Sequence, residues 1–303
     1  MLRLGFGTWP LGGRAYGEVS IEAAFAAVRE ALALEVRFFD TADIYGDGRA
    51  ERILGQALAD TPDAVVVSKA GYLSETRSEQ DFSESHIRRA LEASLDRLRR
   101  PTLDVLLLHS PPAEVLQRGE ATAALERLRE EGLVRRIGVS LRSLDTTQHA
   151  LAWPEASVLE VIFNLLDQRA WDSALLEQCR KRGIDVIARV PLCFGVLSGR
   201  FLPGQEFPPQ DQRARWPRQQ MDAWIRGAER FRFLERPGRS MGQAALAFCL
   251  AGPGSVFAIP GMKSVPQVRE NVMAATSPDM ALSPKELTAV RVLWKELHDL
   301  PPR

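Results

Sequence analysis

The sequence predicts an α/β fold of the (β/α)8 TIM-barrel class, formed by residues 1–303 as a single domain. Short apolar runs rich in β-branched residues alternate with longer segments of helical period, as parallel strands alternate with the helices that connect them. About eight such units are present, and neither a Pro/Ser-rich linker nor a solenoid-length repeat divides the chain. These observations favour a closed barrel over the alternative, an open doubly wound sheet.

The predicted strands are short apolar runs of the length and composition typical of buried strands. They are residues 4–8, 36–40, 64–69, 103–109, 134–140, 158–164, 184–189 and 256–260.

Three serines are predicted to cap helices. Ser20 and Ser83 each precede a segment whose apolar residues recur on one helical stripe. Ser283 is followed by Pro284 and Glu286, which suit the first and third positions of a helix, so we predict a C-terminal helix at about residues 284–298.

One connection is much longer than the others. It covers about residues 191–219, follows the seventh predicted strand and is rich in glycine and proline. Connections of this length in a compact domain are usually lids or binding loops, with disorder as the alternative. Because a barrel carries its functional loops after its strands, we expect this loop to border the site.

Composition points to a small-molecule partner. Lys plus Arg and Asp plus Glu both number 39, so no net charge favours nucleic acid or an anionic membrane. No apolar stretch reaches the length of a membrane span. The three cysteines are widely spaced, and no histidine pair has metal-binding spacing, so we expect no disulfide framework and no metal. We therefore expect an unprocessed, cytoplasmic protein, and the sequence makes no prediction of its oligomeric state.

Six predicted strands end in a polar residue. Since the carboxyl ends of barrel strands face one mouth, these side chains should converge on one pocket. Any strand that reaches solvent must end in something polar, which explains one or two cases but not an acid, an amine and an imidazole at three successive ends. The six residues are Asp40, Lys69, His109, Ser140, Asn164 and Arg189.

The segment Asp40-Thr-Ala-Asp-Ile-Tyr45-Gly46, with Lys69 and His109 ending the next two strands, resembles the aldo-keto reductase family. The resemblance covers essentially the whole chain, including residues 5–9, 133–140, 195–199 and 259–261. It implies a barrel oxidoreductase that uses NAD(P)H to reduce an aldehyde or ketone to an alcohol, or runs the reverse reaction. It also implies a catalytic tetrad, which all four positions match: Asp40, Tyr45, Lys69 and His109.

The chemistry of carbonyl reduction suits these four residue types. Negative charge develops on the carbonyl oxygen, so an acid must donate a proton, and Tyr45 is the candidate. A nearby Lys69 ammonium should lower the pKa of that phenol, and Asp40 should hold Lys69 in place. His109 should orient the carbonyl by a hydrogen bond.

The cofactor is expected to be NADP(H), with NAD(H) possible. The opening Gly5-Phe6-Gly7 does not continue as a dinucleotide fingerprint, because Pro10 replaces the third glycine. A better phosphate site lies after the last strand, where Lys263 precedes a helix that begins near Val265.

The resemblance assigns cofactor contacts residue by residue. It places the 2′-phosphate near Lys263 and Ser264, and the adenine near Gln267, Glu270 and Asn271. It places the nicotinamide carboxamide near Ser140, Asn164 and Glu160, with Arg189 at the ring face. It places the pyrophosphate near Leu197, Ser198 and Gly199. Further cofactor contacts are expected from Gly7, Thr8, Trp9 and Gly261.

Departures from the family pattern cluster around the nicotinamide. Leu141 stands where many members have Asn, and Glu160 stands where Gln is common. Arg189 occupies a position that is aromatic in some branches, and Gln267 one that is Arg in others.

Substrate contacts are expected from aromatic residues at the mouth, namely Trp9, Tyr16, Tyr72 and Trp216. Such a wall suits a moderately apolar carbonyl compound. Two alternative functions remain open at this point: a Schiff-base lyase that uses Lys69, and a cofactor-sensing regulatory barrel with little turnover.

Overall fold

The computed structural model describes residues 2–75 and 78–297 and forms a closed (β/α)8 barrel. Eight parallel strands are hydrogen-bonded in chain order, and the bridges Leu4–Ala258 and Gly7–Gly261 join the last strand to the first. The barrel prediction is confirmed and the open-sheet alternative is wrong. The strands are β1 (Phe6–Gly7), β2 (Phe38–Asp40), β3 (Val65–Ala70), β4 (Leu103–His109), β5 (Val134–Ser140), β6 (Val158–Ile162), β7 (Asp185–Arg189) and β8 (Val256–Ala258).

Twelve α-helices lie in the described residues and surround the barrel. All three predicted serine caps are confirmed. Ser20, Ser83 and Ser283 each accept a hydrogen bond from the backbone N–H of the third residue of the helix that follows. The last predicted position of the C-terminal helix, residue 298, lies outside the described residues. The helices are α1 (Ile21–Ala33), α2 (Arg49–Ala57), α3 (Glu84–Leu98), α4 (Ala113–Arg118), α5 (Glu120–Glu130), α6 (Thr147–Ala152), α7 (Arg169–Asp172), α8 (Leu175–Arg182), α9 (Arg218–Glu229), α10 (Met241–Leu250), α11 (Val265–Thr276) and α12 (Pro284–Glu296).

The barrel interior positions the site. Because side chains alternate along a strand, a residue two positions beyond an interior side chain also points inward. A cluster of interior apolar residues contains Phe38, Val67, Leu107, Val158 and Ile187. Two positions further along the same strands lie Asp40, Lys69, His109, Glu160 and Arg189. These five side chains thus form a polar layer inside the barrel, on the carboxyl-end side of the apolar cluster.

The long connection after β7 is more ordered than a simple loop. It contains 3-10 turns at 193–198 and 212–215, and α9 begins inside its predicted range. Arg213 lies over the ring of Tyr16, 5.0 Å from its centroid, and pairs with Asp211. The backbone N–H of Gln212 donates to the carbonyl of Ala15 at 2.7 Å. The connection is therefore tied to the loop after β1.

None of the helices in the described ranges combines the length and the apolar character needed to cross a lipid bilayer.

Gly138 offers a test of how closely the strands pack. A Cβ at this position in β5 would lie 1.8 Å from the carbonyl oxygen of Val158 in β6. Since backbone cannot move aside cheaply, we expect Gly138→Ala to lower the free energy of unfolding by about 3 kcal/mol, as overpacking does. Denaturant unfolding measures this.

Gly242→Ala is the matched control, because a Cβ there meets nothing closer than 3.8 Å. In helix α10 the change should leave stability equal or raise it by up to about 1 kcal/mol. Equal stability of the two variants would contradict the close strand packing at Gly138.

Candidate active site

One cavity of about 600 Å³ opens at the carboxyl end of the barrel. It extends from β2, β4, β6 and β7 to the start of α11, and the connection after β7 borders it. The predicted site residues that line it are Gly7, Trp9, Tyr16, Asp40, Tyr45, Tyr72, His109, Glu160, Arg189, Ser198, Trp216, Gly261, Lys263, Gln267, Glu270 and Asn271.

Lys69 is fully buried beneath this cavity. Its Nζ donates to Asp40 Oδ2 at 2.6 Å and to the Thr41 carbonyl at 2.9 Å. The same Nζ lies 3.2 Å from Glu160 Oε2. The ammonium thus makes two hydrogen bonds and one further ion-pair contact, since Glu160 Oε2 accepts no hydrogen bond among the described residues. Asp40 is the partner of Lys69 that the sequence predicted, and Glu160 is a second carboxylate beside it.

Burial and charge act against each other on these groups. Burial by itself lowers the pKa of Lys69, but Asp40 and Glu160 outweigh it, so that pKa lies above its ordinary value. Burial raises the pKa of Asp40, and Glu160 acts in the same direction. The Lys69 and Arg189 cations overcome burial at Glu160 and keep its pKa low. Lys69 is consequently charged at neutral pH.

Glu160 also connects to the strands on its other side. Its Oε1 accepts from Ser140 Oγ at 3.0 Å and lies 3.5 Å from Arg189 Nε. Arg189 Nη1 donates to Ser140 Oγ at 2.9 Å and makes a longer contact, 3.4 Å, with Ser110 Oγ. A polar network thus links the ends of β4, β5, β6 and β7.

Tyr45 lies in the turn between β2 and α2, above Lys69, whose Nζ is 5.5 Å from the centre of its ring. Burial raises the pKa of Tyr45 to about 12, although Lys69 lowers it. Lys69 therefore acts on the pKa of Tyr45 in the expected direction. The expectation that this pKa would lie below the ordinary value of a phenol is wrong. The reason is that desolvation of the phenolate exceeds the stabilisation by one ammonium.

His109 faces Tyr45 across the cavity. Its ring makes edge-to-face contacts with Tyr45 at 6.3 Å and with Tyr72 at 4.8 Å between centroids. Burial, and then Lys69 and Arg189, hold the pKa of His109 well below its usual value. A neutral imidazole at this position can donate one hydrogen bond to a carbonyl oxygen.

An aromatic wall closes the other side of the cavity. Trp9 contacts Tyr16 at 5.6 Å and Phe194 at 6.3 Å, and Phe194 contacts Trp216 at 5.4 Å. The structure therefore brings the predicted aromatic residues to one cavity.

Glu75 is a lining residue that the sequence did not indicate. It accepts from Trp9 Nε1 at 3.0 Å and from the backbone N–H of Gly46 at 2.9 Å. It lies in the connection after β3, several residues beyond the strand end, so the strand-end pattern could not reveal it. Its two contacts fix Trp9 against the turn that carries Tyr45.

The far end of the cavity meets the first turn of α11. The backbone N–H of Lys263 donates to Gln267 Oε1 at 2.9 Å, and Lys263 Nζ donates to the Tyr16 carbonyl at 2.6 Å. Glu270 accepts from Ser240 Oγ at 2.9 Å and pairs with Arg200 at 2.9 Å. A cation beside a helix N-terminus fits a phosphate group, and the cavity volume is in the range of small-molecule sites.

Several predicted cofactor residues do not line the cavity. Asn164 donates to the Val190 carbonyl at 3.1 Å and accepts from the Leu166 N–H at 2.9 Å, so its amide supports the loop after β7. Thr8 is buried and donates to the Asp40 carbonyl at 2.9 Å. The others that lie outside the lining are Ser140, Leu197, Gly199 and Ser264.

Comparison with known proteins gives consistent matches. The model of the aldo/keto reductase family matches residues 3–295. L-galactose dehydrogenase of Arabidopsis thaliana is 29% identical over 98% of this chain and 92% of its own length. The structure of a glycerol dehydrogenase from Gluconobacter oxydans has a TM-score of 0.81 at 27% identity and covers 99% and 93% of the two chains. An aldo/keto reductase from Klebsiella pneumoniae, solved with NADP and acetate, has a TM-score of 0.72 at 28% identity over 99% and 92%.

Proposed function

The chain belongs to the aldo/keto reductase family, and on that premise we propose that it reduces an aldehyde or ketone to the alcohol, or catalyses the reverse, with NADP(H) preferred and NAD(H) possible. The observation that carries the proposal is the arrangement around Lys69. Tyr45, Asp40 and His109 line one cavity, and Lys69 lies beneath it in contact with Asp40.

Each residue of the tetrad has a role that its contacts support. Tyr45 donates a proton to the carbonyl oxygen as negative charge develops there. Lys69 stabilises the phenolate that remains, because its ammonium lies below the ring. Asp40 holds Lys69, and neutral His109 donates a hydrogen bond that orients the carbonyl.

The nicotinamide cofactor, when bound, supplies the hydride. Lys263 and the first turn of α11 would hold its 2′-phosphate, with Gln267, Glu270 and Asn271 beside the adenine. The Klebsiella pneumoniae relative was solved with NADP, which supports this choice of cofactor.

The surroundings of Lys69 disfavour the Schiff-base alternative. A Schiff-base lysine must attack as a neutral amine. Asp40 and Glu160 stabilise the charged form of Lys69 instead. We therefore expect no trapping of 4-nitrobenzaldehyde on Lys69 by borohydride.

The direct test mixes purified protein, NADPH and 4-nitrobenzaldehyde and follows the loss of cofactor absorbance, with NADH in parallel. The aromatic wall favours an apolar probe of this kind. Steady consumption supports the proposal. Tight NADPH binding without turnover across a panel of aldehydes and ketones would favour a cofactor-sensing role instead.

Lys263→Met tests the cofactor assignment. Loss of a charge-assisted phosphate contact removes about 1.5–3 kcal/mol. We therefore expect the KM for NADPH to rise by about tenfold to a hundredfold, with little change in kcat. The KM for NADH, which lacks the 2′-phosphate, is the internal control, and an equal rise for both cofactors would place Lys263 elsewhere.

A further inference from the structure

We propose that Glu160 and Arg189, a buried ion pair beside Lys69, act on the proton donor Tyr45 through their charges, with opposite signs. The inference rests on the proposed function, in which Tyr45 donates the proton. It differs from the carboxamide and ring-face roles that the family resemblance suggested for Glu160 and Arg189.

The carboxylate of Glu160 is divided between two cations. Its Oε2 lies 3.2 Å from Lys69 Nζ. Its Oε1 accepts from Ser140 at 3.0 Å and lies 3.5 Å from Arg189 Nε. The side chains of Glu160 and Lys69 are almost completely buried, so solvent screens their interaction little. An amide at position 160 would keep the shape but would remove the charge that faces Lys69.

Arg189 balances the negative charge that Glu160 adds to the buried cluster around Lys69. Two carboxyls, Asp40 and Glu160, flank Lys69, and a single ammonium cannot balance both of them. Arg189 supplies the second cation and is held by Ser140 at 2.9 Å. A buried carboxylate without such a partner would be costly.

Titratable or charged groups on five strands and one loop surround Tyr45. The charges of Glu160 and Asp40 disfavour its phenolate, whereas those of Lys69 and Arg189 favour it. Removal of Glu160 and removal of Arg189 should therefore move the ionisation of Tyr45 in opposite directions. The titratable and charged groups around it are Asp40 on β2, Lys69 on β3, His109 on β4, Glu160 on β6, Arg189 on β7 and Glu75 in the connection after β3.

The test measures kcat/KM for reduction of 4-nitrobenzaldehyde against pH in wild type, Glu160→Gln, Arg189→Gln and the double variant. The alkaline limb reports loss of the acid in the free enzyme. Glu160→Gln should move this limb from about pH 12 to lower pH by about one unit. Arg189→Gln should move it the other way, so that this variant keeps its rate at the pH where the wild type declines, and the double variant should lie between the two.

Asp47→Asn is the matched control. Asp47 is two residues from Tyr45, but its ion pair with Arg14 is exposed. Loss of this screened carboxylate should leave the alkaline limb in place. An unmoved limb in all three test variants, or one shifted in the same direction in both single variants, would overturn the inference.

A titration without turnover separates this inference from the proposed function. The chain has three tyrosines, so subtracting the spectrum of Tyr45→Phe isolates the phenolate absorbance of Tyr45. Opposite shifts of that titration in the two single variants would support the inference even if no tested carbonyl is reduced. Unshifted titrations would overturn it, even in a protein whose reductase activity depends on Tyr45.

Discussion

Replacing Tyr45 with phenylalanine is expected to lower kcat for carbonyl reduction by about a hundredfold or more, the contribution typical of general acid catalysis. The change removes only the phenolic oxygen and keeps the ring above Lys69. NADPH binding should persist, because the residues assigned to the phosphate and adenine lie at the other end of the cavity, around α11. Steady-state rates and cofactor fluorescence titration measure the two quantities separately.

Tyr72→Phe is the matched control for this prediction. Tyr72 lines the same cavity and contacts the same His109 ring, but it does not lie above Lys69. We expect a much smaller fall in kcat than for Tyr45→Phe. Comparable losses in the two variants would mean that the Tyr45 hydroxyl does no more than any hydroxyl lining this cavity, which would contradict its role as proton donor.

Lys69→Met is expected to lower the free energy of unfolding by about 3–5 kcal/mol as well as to abolish activity. The substitution leaves the buried Asp40 and Glu160 without the ammonium that contacts both. Methionine fills much of the same volume, so the loss would arise from charge rather than from a cavity. Denaturant unfolding of the two proteins measures the difference.

This loss should depend on pH in a defined direction. Without Lys69, the pKa of Asp40 rises further in the folded state and that of Glu160 rises from its lowered value, while the unfolded chain keeps ordinary values near 4. A raised folded-state pKa costs stability once the pH exceeds the unfolded value. The penalty of Lys69→Met should therefore be larger at about pH 8 than at about pH 5, where the carboxyls take up protons.

Arg230→Met is the control, because it breaks an exposed pair with Glu296. Exposed pairs contribute little, so its stability should remain near that of wild type at both pH values. If Lys69→Met is destabilised no more than this control, the buried ion cluster does not stabilise the fold.

The sequence predicted much of the barrel because its periodicity is local information. The runs that form β4 and β5 were predicted with their observed limits, 103–109 and 134–140. The predicted last strand, 256–260, is shorter in the structure, where β8 spans Val256–Ala258. The limits of β8 depend on pairing with β7 and on closure onto β1, which no local pattern contains.

The strand-end rule also predicted which residues would approach one another. Asp40, Lys69 and His109 point into the barrel because each lies two positions beyond an interior apolar side chain. The same rule predicted that Asn164 would join them, but Asn164 lies two residues beyond the end of β6. It bonds the loop after β7 instead.

By itself, then, the sequence determined the fold class and the residue types that meet at the carboxyl end of the barrel, since both follow from alternation along single strands. Only the tertiary structure decided how the charges pair. It placed Glu160 against Lys69 as well as Arg189, raised the pKa of Tyr45 to about 12 and brought Glu75 to Trp9. These outcomes depend on burial and on distances between separate strands and loops, which are set when the barrel closes.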